Sequence, residues 1–535
     1  MAIVISPNFQ RGAGGRQTTD ASIHKSVRYS TGFGFIHDKF FVETPGRIAI
    51  LLGLVYRGSW GGKKRGSMGA RSDLKVKTMG NATLQLWQSG KPILTTDPWL
   101  VGRAYFDSWA LHHPMSKAEV DAALSSEFLW ISHGHPDHMH IESLELFPKG
   151  KKLFIPDHYH DEISQTLKDM GFDVTVMRYR QWYRLSDQLE ILCLDNINQD
   201  AILIARFGDS LLVNLNDSPL CGDAGFIRSL VREHYNDSTY VFKLVGISAD
   251  MLNFIDADGN RTIEAPNSYK PGCIKDAAAQ ISDLGVANFC LSSSQHIFVR
   301  QDSRWANDYE FTYADFQEHW DQPKIKVLPP FVTIDLADDS YEENWPQVEA
   351  DASQFLDDNG ADDWTETLCD DEWQKVTAFF AKFETIEDIV DFVDCVVGGE
   401  TRRVYERPRQ RKKPRGVRFH VPKKSLLETI TWGYFDDLLI GNFMKTELVN
   451  MGLYPDFTPR IAKYGGNAKV FSKKSLKKMR SYYWRRNPIG VSMFWLSGFW
   501  RTRVQRAVSD WAENWGIKAP LKWAYYAMRR IVPGI

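Results

Sequence analysis

The chain has 535 residues, of which 43% are hydrophobic and 25% are charged, and its formal net charge is -2. This composition is typical of globular proteins and excludes a chain that is disordered throughout, and the near-balanced charge excludes a global field that would attract nucleic acid or anionic lipid. The length exceeds what a single hydrophobic core usually supports, so we expect two domains or one heavily elaborated domain.

The first 75 residues are rich in Gly, Arg and Lys, and their lack of periodicity predicts a loosely structured extension. Their longest apolar run, residues 48–56, is too short to span a bilayer, and the N-terminus lacks the layout of a signal peptide. The six cysteines form no Cys-x-x-Cys pair, which indicates neither a disulfide framework nor a thiolate zinc site. We therefore expect a soluble, cytoplasmic protein.

Residues 76–334 have the pattern of an α/β domain. Short apolar runs separated by Gly turns begin near Thr78 and indicate a β-meander. Helical stretches at 117–125 and 161–170 then alternate with strand-like runs, which are residues 128–132, 152–155, 174–177 and 189–194. Gly208-Asp209 supplies a turn between the runs 201–207 and 211–215, which predicts a hairpin that leads into Asn216-Asp217.

The rest of the chain divides by charge. Residues 335–400 are strongly acidic, which predicts a solvated linker or a helical insert. Residues 401–535 are basic and aromatic, and we predict a mostly helical region there. The basic run at 402–424 can pair with the acidic block or bind an anionic substrate, and we expect no nucleic-acid partner. The tail from Tyr482 onward predicts a helical cap on the preceding domain, with contact to a membrane surface as the alternative.

The segment after the run 128–132 carries the candidate chemistry. Imidazole and carboxylate groups suit zinc, iron or manganese, and a tight loop at a strand end can direct residues i, i+2, i+4 and i+5 to one point. A surface turn rich in histidine is the alternative, but the preceding strand has a buried character. The candidate ligands are His133, His135, Asp137 and His138.

This motif resembles the metal-binding signature of the metallo-β-lactamase superfamily. The resemblance implies an αββα sandwich with one or two divalent metal ions, iron or zinc. It assigns His133 and His135 to one ion, and Asp137 and His138 to a second. Asp137 is also implied as a catalytic residue, because it would position a metal-bound water.

The same resemblance implies three further residues, each close to a strand end. Asp97 is expected to act in catalysis by orienting a ligand histidine. Asp217 is expected to bridge the two metal ions. His296, which follows the strand-like run that begins at residue 288, is the expected late histidine ligand.

One expected ligand is missing from the sequence. The superfamily usually has another histidine between the signature and the bridging aspartate, but no histidine occurs from residue 161 to residue 233. Oxygen ligands in the loop before the hairpin can replace it, and the candidates, between which the sequence does not choose, are Asp195, Asn198 and Asp200. His158 and His160 are expected to be structural or to face the substrate.

A second resemblance covers the region from about residue 78 to about residue 454. Several segments look like the catalytic half of CMP-N-acetylneuraminate hydroxylases, which hydroxylate an N-acetyl sugar with iron and a Rieske cluster; these segments are Asn81, residues 97–100, 214–217, 421–424 and 435–443. A Rieske cluster requires paired Cys-x-His elements, and this sequence has none. The resemblance therefore implies an external electron-transfer partner, a ferredoxin or a reductase.

Three functions are compatible with these patterns. The first is an iron-dependent hydroxylase, an oxygenase acting on a nucleotide sugar or an amide-bearing metabolite. The second is a metal-dependent hydrolase of an ester, lactone, amide or phosphoester that uses a metal-bound water. The third is a non-enzymatic scaffold or a nucleic-acid-binding module, which the intact set of candidate ligands disfavours. In the first two the partner is a small-molecule substrate whose identity the sequence does not indicate.

Overall fold

A computed structural model describes residues 73–234, 238–246, 249–263, 265–346, 362–384, 386–409, 412–441, 443–451 and 469–499. The predicted N-terminal extension up to residue 72, part of the acidic block and the end of the aromatic tail lie outside these ranges. Within the described ranges, no helix combines the length and the apolar character that crossing a membrane requires.

Residues 73–346 alternate between strands and helices. The strands are β1 (Leu74–Met79), β2 (Thr83–Gln88), β3 (Lys91–Thr96), β4 (Arg103–Ala104), β5 (Trp109–Leu111), β6 (Phe128–Trp130), β7 (Lys152–Pro156), β8 (Asp173–Met177), β9 (Trp182–Arg184), β10 (Leu189–Asp195), β11 (Ala201–Phe207), β12 (Ser210–Asn216), β13 (Thr239–Lys243), β14 (Phe254–Ile255), β15 (Asn288–Leu291), β16 (His296–Phe298), β17 (Lys326–Leu328), β18 (Val332–Asp335) and β19 (Ser340–Glu343). The helices are α1 (Lys117–Ser125), α2 (Ile141–Glu145), α3 (Glu162–Asp169), α4 (Ala224–His234), α5 (Ala249–Leu252), α6 (Pro266–Leu284) and α7 (Tyr313–His319), with a 3-10 helix at Arg304–Tyr309.

Two large sheets form the body of this part. The first has the strand order β19-β18-β1-β2-β3-β6-β7-β8, with antiparallel pairs from β19 to β3 and parallel pairs from β3 to β8. The second has the order β17-β15-β13-β12-β11-β10-β9, parallel from β17 to β12 and antiparallel from β12 to β9. A short third sheet has the order β16-β5-β4.

The two large sheets pack face to face with helices on both outer faces. Val76 of the first sheet and Leu203 of the second belong to the same buried cluster between the sheets. On its outer face the first sheet packs Leu129 with residues of α1, α2 and α3. The second sheet packs Val213 with residues of α4, α6 and α7. The layers are therefore αββα, and the predicted fold class is confirmed.

Local sequence features explain where several of these elements begin and end. Ser116 and Glu119 form a capping box at the start of α1, in which each side chain accepts a hydrogen bond from the backbone N–H of the other residue. Gly208, with φ +60°, makes the turn between β11 and β12, as the Gly-Asp pair predicted. Gly285 has a left-handed conformation and ends α6.

The C-terminal part contains a further sheet. Its described elements are α8 (Asp370–Ala381), a 3-10 helix (Ile386–Asp388), β20 (Phe392–Val397), β21 (Glu400–Glu406), β22 (Gly416–His420), α9 (Lys423–Trp432), α10 (Asp436–Ile440), β23 (Lys445–Val449), α11 (Lys473–Arg486) and α12 (Pro488–Phe499). The strand order β14-β23-β22-β20-β21 brings one strand of the first part into this sheet. The region expected to be mostly helical thus also contains strands, because charged side chains conceal the strand pattern in the sequence.

The C-terminal helices pack on both parts of the chain. Residues of α8, α9 and α10 form one buried cluster with the further sheet, and Phe380, Phe419 and Phe435 are among its largest members. Tyr483 of α11 and Val491 of α12 pack instead with Ile197, in the loop that follows β10. These two helices therefore cap a loop of the αββα sandwich.

Candidate metal centre

The signature loop lies at the carboxyl edge of parallel strands. It follows β6, which is parallel to both β3 and β7, and Asp97 directly follows β3. Asp217 directly follows β12, which is parallel to β13 in the second sheet. Ligand sites of α/β sheets lie outside the carboxyl ends of parallel strands, because the loops converge there.

Asp97 is completely buried and connects three of these loops. Its Oδ1 accepts a hydrogen bond from the backbone N–H of Ser132 at 2.7 Å. Its Oδ2 accepts one from Asn216 Nδ2 at 2.6 Å and lies 3.3 Å from His138 Nδ1. Burial raises the pKa of Asp97, although the hydrogen bond and the charge of His138 act in the opposite direction. The carboxylate therefore holds one ring nitrogen of His138 and directs the other away from itself.

His133, His138 and Asp217 form one group of candidate metal ligands, because one donor atom of each lies within 4.8 Å of the other two. His138 Nε2 lies 3.3 Å from Asp217 Oδ2 and 3.2 Å from Asp137 Oδ2, without a well-aligned hydrogen bond to either. Asp217 Oδ1 is also buried without a hydrogen-bond partner. Buried polar atoms are normally satisfied, so this donor set fits a divalent cation.

Asp137 is held by two neutral side chains in addition to His138. Asn81 Nδ2 donates to Oδ2 at 3.0 Å, and the Tyr105 hydroxyl donates to Oδ1 at 2.6 Å. Burial alone would raise the pKa of Asp137, but the charge of His138 and the hydrogen bond of Tyr105 lower it below its usual range. Burial would likewise lower the pKa of His138, but the charges of Asp137 and Asp217 raise it. Asp137 is therefore an ionised carboxylate at neutral pH.

His135 belongs to a second group, whose other two members are not predicted from the sequence. Its Nδ1 lies 2.8 Å from His133 Nε2, and its Nε2 lies 3.4 Å from Asp436 Oδ2. One donor atom each of His135, Asp436 and Asp437 lies within 4.8 Å of the other two. Burial would lower the pKa of His135, but the hydrogen bond and charge of Asp436 and the charge of Asp437 raise it to about 9. Burial and the charge of Asp436 also raise the pKa of Asp437.

The two aspartates begin α10 in the C-terminal part. The segment 435–443 carried the resemblance to the hydroxylases, which was a signal for this region but assigned no role to Asp436 or Asp437. Their position in the structure shows that the acidic start of this short helix faces the signature loop.

His296 belongs to neither group, but its ring is close enough to Asp137 and Asp217 for their charges to act on it. Its ring stacks on Trp109, with ring centroids 3.6 Å apart and an angle of 4° between the planes. Burial lowers the pKa of His296 to about 4, and the charges of Asp137 and Asp217 act in the opposite direction. Its Nδ1 is buried without a hydrogen-bond partner, so this nitrogen is available to bind a metal ion.

The candidates for replacing the missing histidine differ in their surroundings. Asp200 is buried, and its Oδ2 accepts a hydrogen bond from Asn198 Nδ2 at 2.8 Å. Burial raises the pKa of Asp200 to about 6, and the charge of His135 opposes this shift, as expected for a group near the site. Asp195 instead binds Arg486, whose guanidinium lies 2.6 Å from its Oδ2.

The two histidines after β7 have different environments. His158 is buried, and its Nε2 lies 2.8 Å from the carbonyl oxygen of Ser132, at the start of the signature loop. Burial lowers the pKa of His158 to about 4, so the neutral ring can donate to this carbonyl. His160 is exposed, and its ring contacts that of Tyr159.

Similarity to known proteins was found for parts of the chain. No family model matches the sequence. A cytidine monophosphate-N-acetylneuraminic acid hydroxylase of Danio rerio is 27% identical over 139 residues, which are 24% of this chain and 23% of that protein. The enzyme of the same name from Asterias rubens is 26% identical over 118 residues, 21% of this chain and 18% of that protein. The predicted resemblance is thus confirmed, and it spans about a fifth of the length of these relatives.

Solved structures give broader coverage at lower identity. An isothiocyanate hydrolase from Delia radicum gut bacteria is 17% identical and covers 49% of this chain and 98% of its own, with a TM-score of 0.33. A mutant of the CmlA β-hydroxylase is 14% identical and covers 50% of this chain and 55% of its own, also with a TM-score of 0.33. The assignment of the fold therefore depends on the strand order and the layers described above.

Proposed function

We propose that this chain is a metal-dependent enzyme that acts on a small molecule at the signature loop. The observation that carries the proposal is the convergence of His133, His138 and Asp217 around buried polar atoms that lack hydrogen-bond partners. One or two divalent ions, iron or zinc, fit this donor set, because both metals accept imidazole and carboxylate ligands. A bound ion supplies Lewis acidity, and iron supplies redox chemistry with dioxygen as well.

The surrounding residues prepare the ligands for this role. Asp97 holds Nδ1 of His138, so that Nε2 is free to face the carboxylates. Asn81 and Tyr105 donate to the two oxygens of Asp137 and fix its orientation. A site whose ligands are held in this way needs little rearrangement when it binds metal or substrate.

The first candidate function is an oxygenase that hydroxylates a nucleotide sugar or an amide-bearing metabolite. It is supported by the local similarity to proteins named as CMP-N-acetylneuraminic acid hydroxylases. Hydroxylation of a C–H bond by dioxygen consumes two electrons and two protons and releases one water, so every turnover needs a reductant. The sequence contains no Cys-x-His pair, and a ferredoxin or reductase is therefore the expected electron donor.

The second candidate function is a hydrolase of an ester, lactone, amide or phosphoester. It is supported by the negative charge of Asp137, because an ionised carboxylate beside the candidate ligands can accept a hydrogen bond from an attacking water and so position it. This reaction needs no reductant and no dioxygen, so the two candidates differ in what they consume.

The test begins with elemental analysis of protein purified without added metal. Oxygen uptake by the iron-loaded protein is then measured with and without a ferredoxin and its reductase. Hydrolysis of ester, lactone and phosphodiester substrates is measured anaerobically with the zinc-loaded protein. Oxygen uptake that depends on the reductant, with no hydrolysis of the substrates, supports the oxygenase. Metal-dependent hydrolysis under anaerobic conditions supports the hydrolase. Protein that neither retains nor rebinds metal would contradict both.

A further inference from the structure

We propose that Asp436 and Asp437 join His135 to bind a divalent cation beside the group formed by His133, His138 and Asp217. The C-terminal part of the chain would then supply ligands in place of the histidine that is missing between the signature and Asp217. This inference rests on the proposed function and extends it, because both the αββα part and the C-terminal part of the chain would then supply metal ligands.

The two ring nitrogens of His135 have different neighbours. Nδ1 lies 2.8 Å from His133 Nε2, so Nε2 is the atom that faces α10. It lies 3.4 Å from Asp436 Oδ2, and a donor atom of Asp437 completes a set within 4.8 Å. Ligand distances of about 2.0–2.2 Å place neighbouring donor atoms of a tetrahedral or octahedral ion roughly 3.0–3.5 Å apart. The distance from His135 to Asp436 therefore needs little adjustment to admit an ion.

An independent observation at Asp436 points to a missing partner. This residue is 6% exposed, and its Oδ1 is buried without a hydrogen-bond partner. In the described ranges, no lysine or arginine forms an ion pair with Asp436 or Asp437. A buried carboxylate oxygen next to a second carboxylate is unfavourable unless its charge is compensated, and the contact with His135 engages Oδ2 and leaves Oδ1 without a partner.

The position of α10 is fixed from two sides. Phe435 and Leu438 are buried in the core of the C-terminal part. From the first part, Asn253 donates to the carbonyl of Leu439, and Ser108 donates to the carbonyl of Gly441. The two aspartates therefore lie against the signature loop already in the metal-free protein. Less conformational entropy is then lost when an ion binds.

The inference is tested by counting metal ions. Metal-free protein is titrated with Zn²⁺, and with Mn²⁺ or anaerobic Fe²⁺, by calorimetry, and bound metal is measured after gel filtration. Wild-type protein should bind about two ions per chain, and the Asp436→Asn, Asp437→Asn double variant about one. The matched control is Asp370→Asn with Asp371→Asn, an exposed aspartate pair at the start of α8, which should leave the count unchanged.

A second variant separates this inference from the proposed function. His138→Ala should lose the other ion and keep the one at His135. If the Asn double variant binds metal with the wild-type count and affinity, the inference is wrong, and a loss in His138→Ala would still support the proposed function. If His138→Ala also retains all metal, the proposed function is wrong as well. Should the double variant fail to fold by circular dichroism, Asp437→Asn alone, at a half-buried position, should weaken one site at least ~10-fold.

Discussion

Asp97 and Asn216, which lie beside the candidate site, both have positive φ angles. Their φ angles are 39° and 51°, a left-handed conformation that is unfavourable for non-glycine residues by roughly 1 kcal/mol or more. Each lies at the carboxyl end of a strand, and both side chains contact His138 Nδ1. Hydrogen bonds between the two side chains and to Ser132 offset the strain. We infer that the conformation is maintained by the network that orients His138.

The variant Asp97→Asn keeps the shape of this side chain but removes its negative charge. We expect the affinity for Zn²⁺ to fall ~10–100-fold, because the ring of His138 loses the carboxylate that orients it. The dissociation constant is measured by competition with a chelator, and circular dichroism checks the fold. An unchanged dissociation constant would show that Asn216 and Ser132 orient His138 without the charge of Asp97.

The double variant His135→Ala, Asp137→Ala removes one member of the second ligand group and one carboxylate that lies beside the first group. We expect it to lose most bound metal and all activity while it remains folded, because both side chains lie in the donor network of the loop. Elemental analysis gives the metal content. His160→Ala, at an exposed histidine, is the control and should retain its metal. Full retention in the double variant would exclude the loop as the metal site.

The strands and helices of residues 73–346 follow local sequence patterns more closely than those of the C-terminal part. The hairpin expected from Gly208-Asp209 is present as β11 and β12, because turn and strand patterns are both local. β21 was not predicted, since only Val404 among its residues is buried and charged side chains dominate it. It becomes a strand by pairing with β20, whose residues are mostly buried.

The candidate ligands also differ in how well the sequence predicts them. The residues from His133 to His138 could be predicted because they are neighbours in the sequence and share one loop. Asp436 meets His135 across 301 positions, and only the packing of α10 on the first part creates that contact. A pair of aspartates at the start of a short helix is common, so no local pattern marks these two as ligands.

The contact between α12 and the loop after β12 depends on the absence of a side chain at Gly490. A Cβ atom on Gly490 would overlap the backbone carbonyl oxygen of Cys221, which cannot move aside as a flexible side chain can. We expect Gly490→Ala to lower the free energy of unfolding by roughly 1–3 kcal/mol, despite the higher helix propensity of alanine. Urea unfolding measures the change. Gly225→Ala in α4, where a Cβ atom meets nothing within 4 Å, is the control, and an equal effect there would refute the packing argument.

Burial of ionisable groups predicts how the free energy of unfolding depends on pH. Burial raises the pKa of Glu310 to about 8 and that of Asp195 to about 7, and the pKa of His135 is raised to about 9. The folded protein therefore keeps these protons at pH values where the unfolded chain has released them, so stability falls as pH rises through this range. His158 and His296, whose pKa values burial lowers to about 4, act oppositely, but only below the unfolded value of 6.5.

We therefore expect the free energy of unfolding of the metal-free protein to decrease between pH 6.5 and pH 9. Bound metal should reduce this decrease, because a cation at His135 takes the place of the proton and stabilises the folded state by mass action. Urea unfolding at both pH values, with a chelator and with saturating Zn²⁺, measures the two slopes. Glu310→Gln, distant in sequence from the signature loop, should reduce the decrease without changing metal affinity, since it removes one of the buried carboxyl groups. Stability of the metal-free protein that stays constant or rises over this range would contradict the assignment of these raised pKa values.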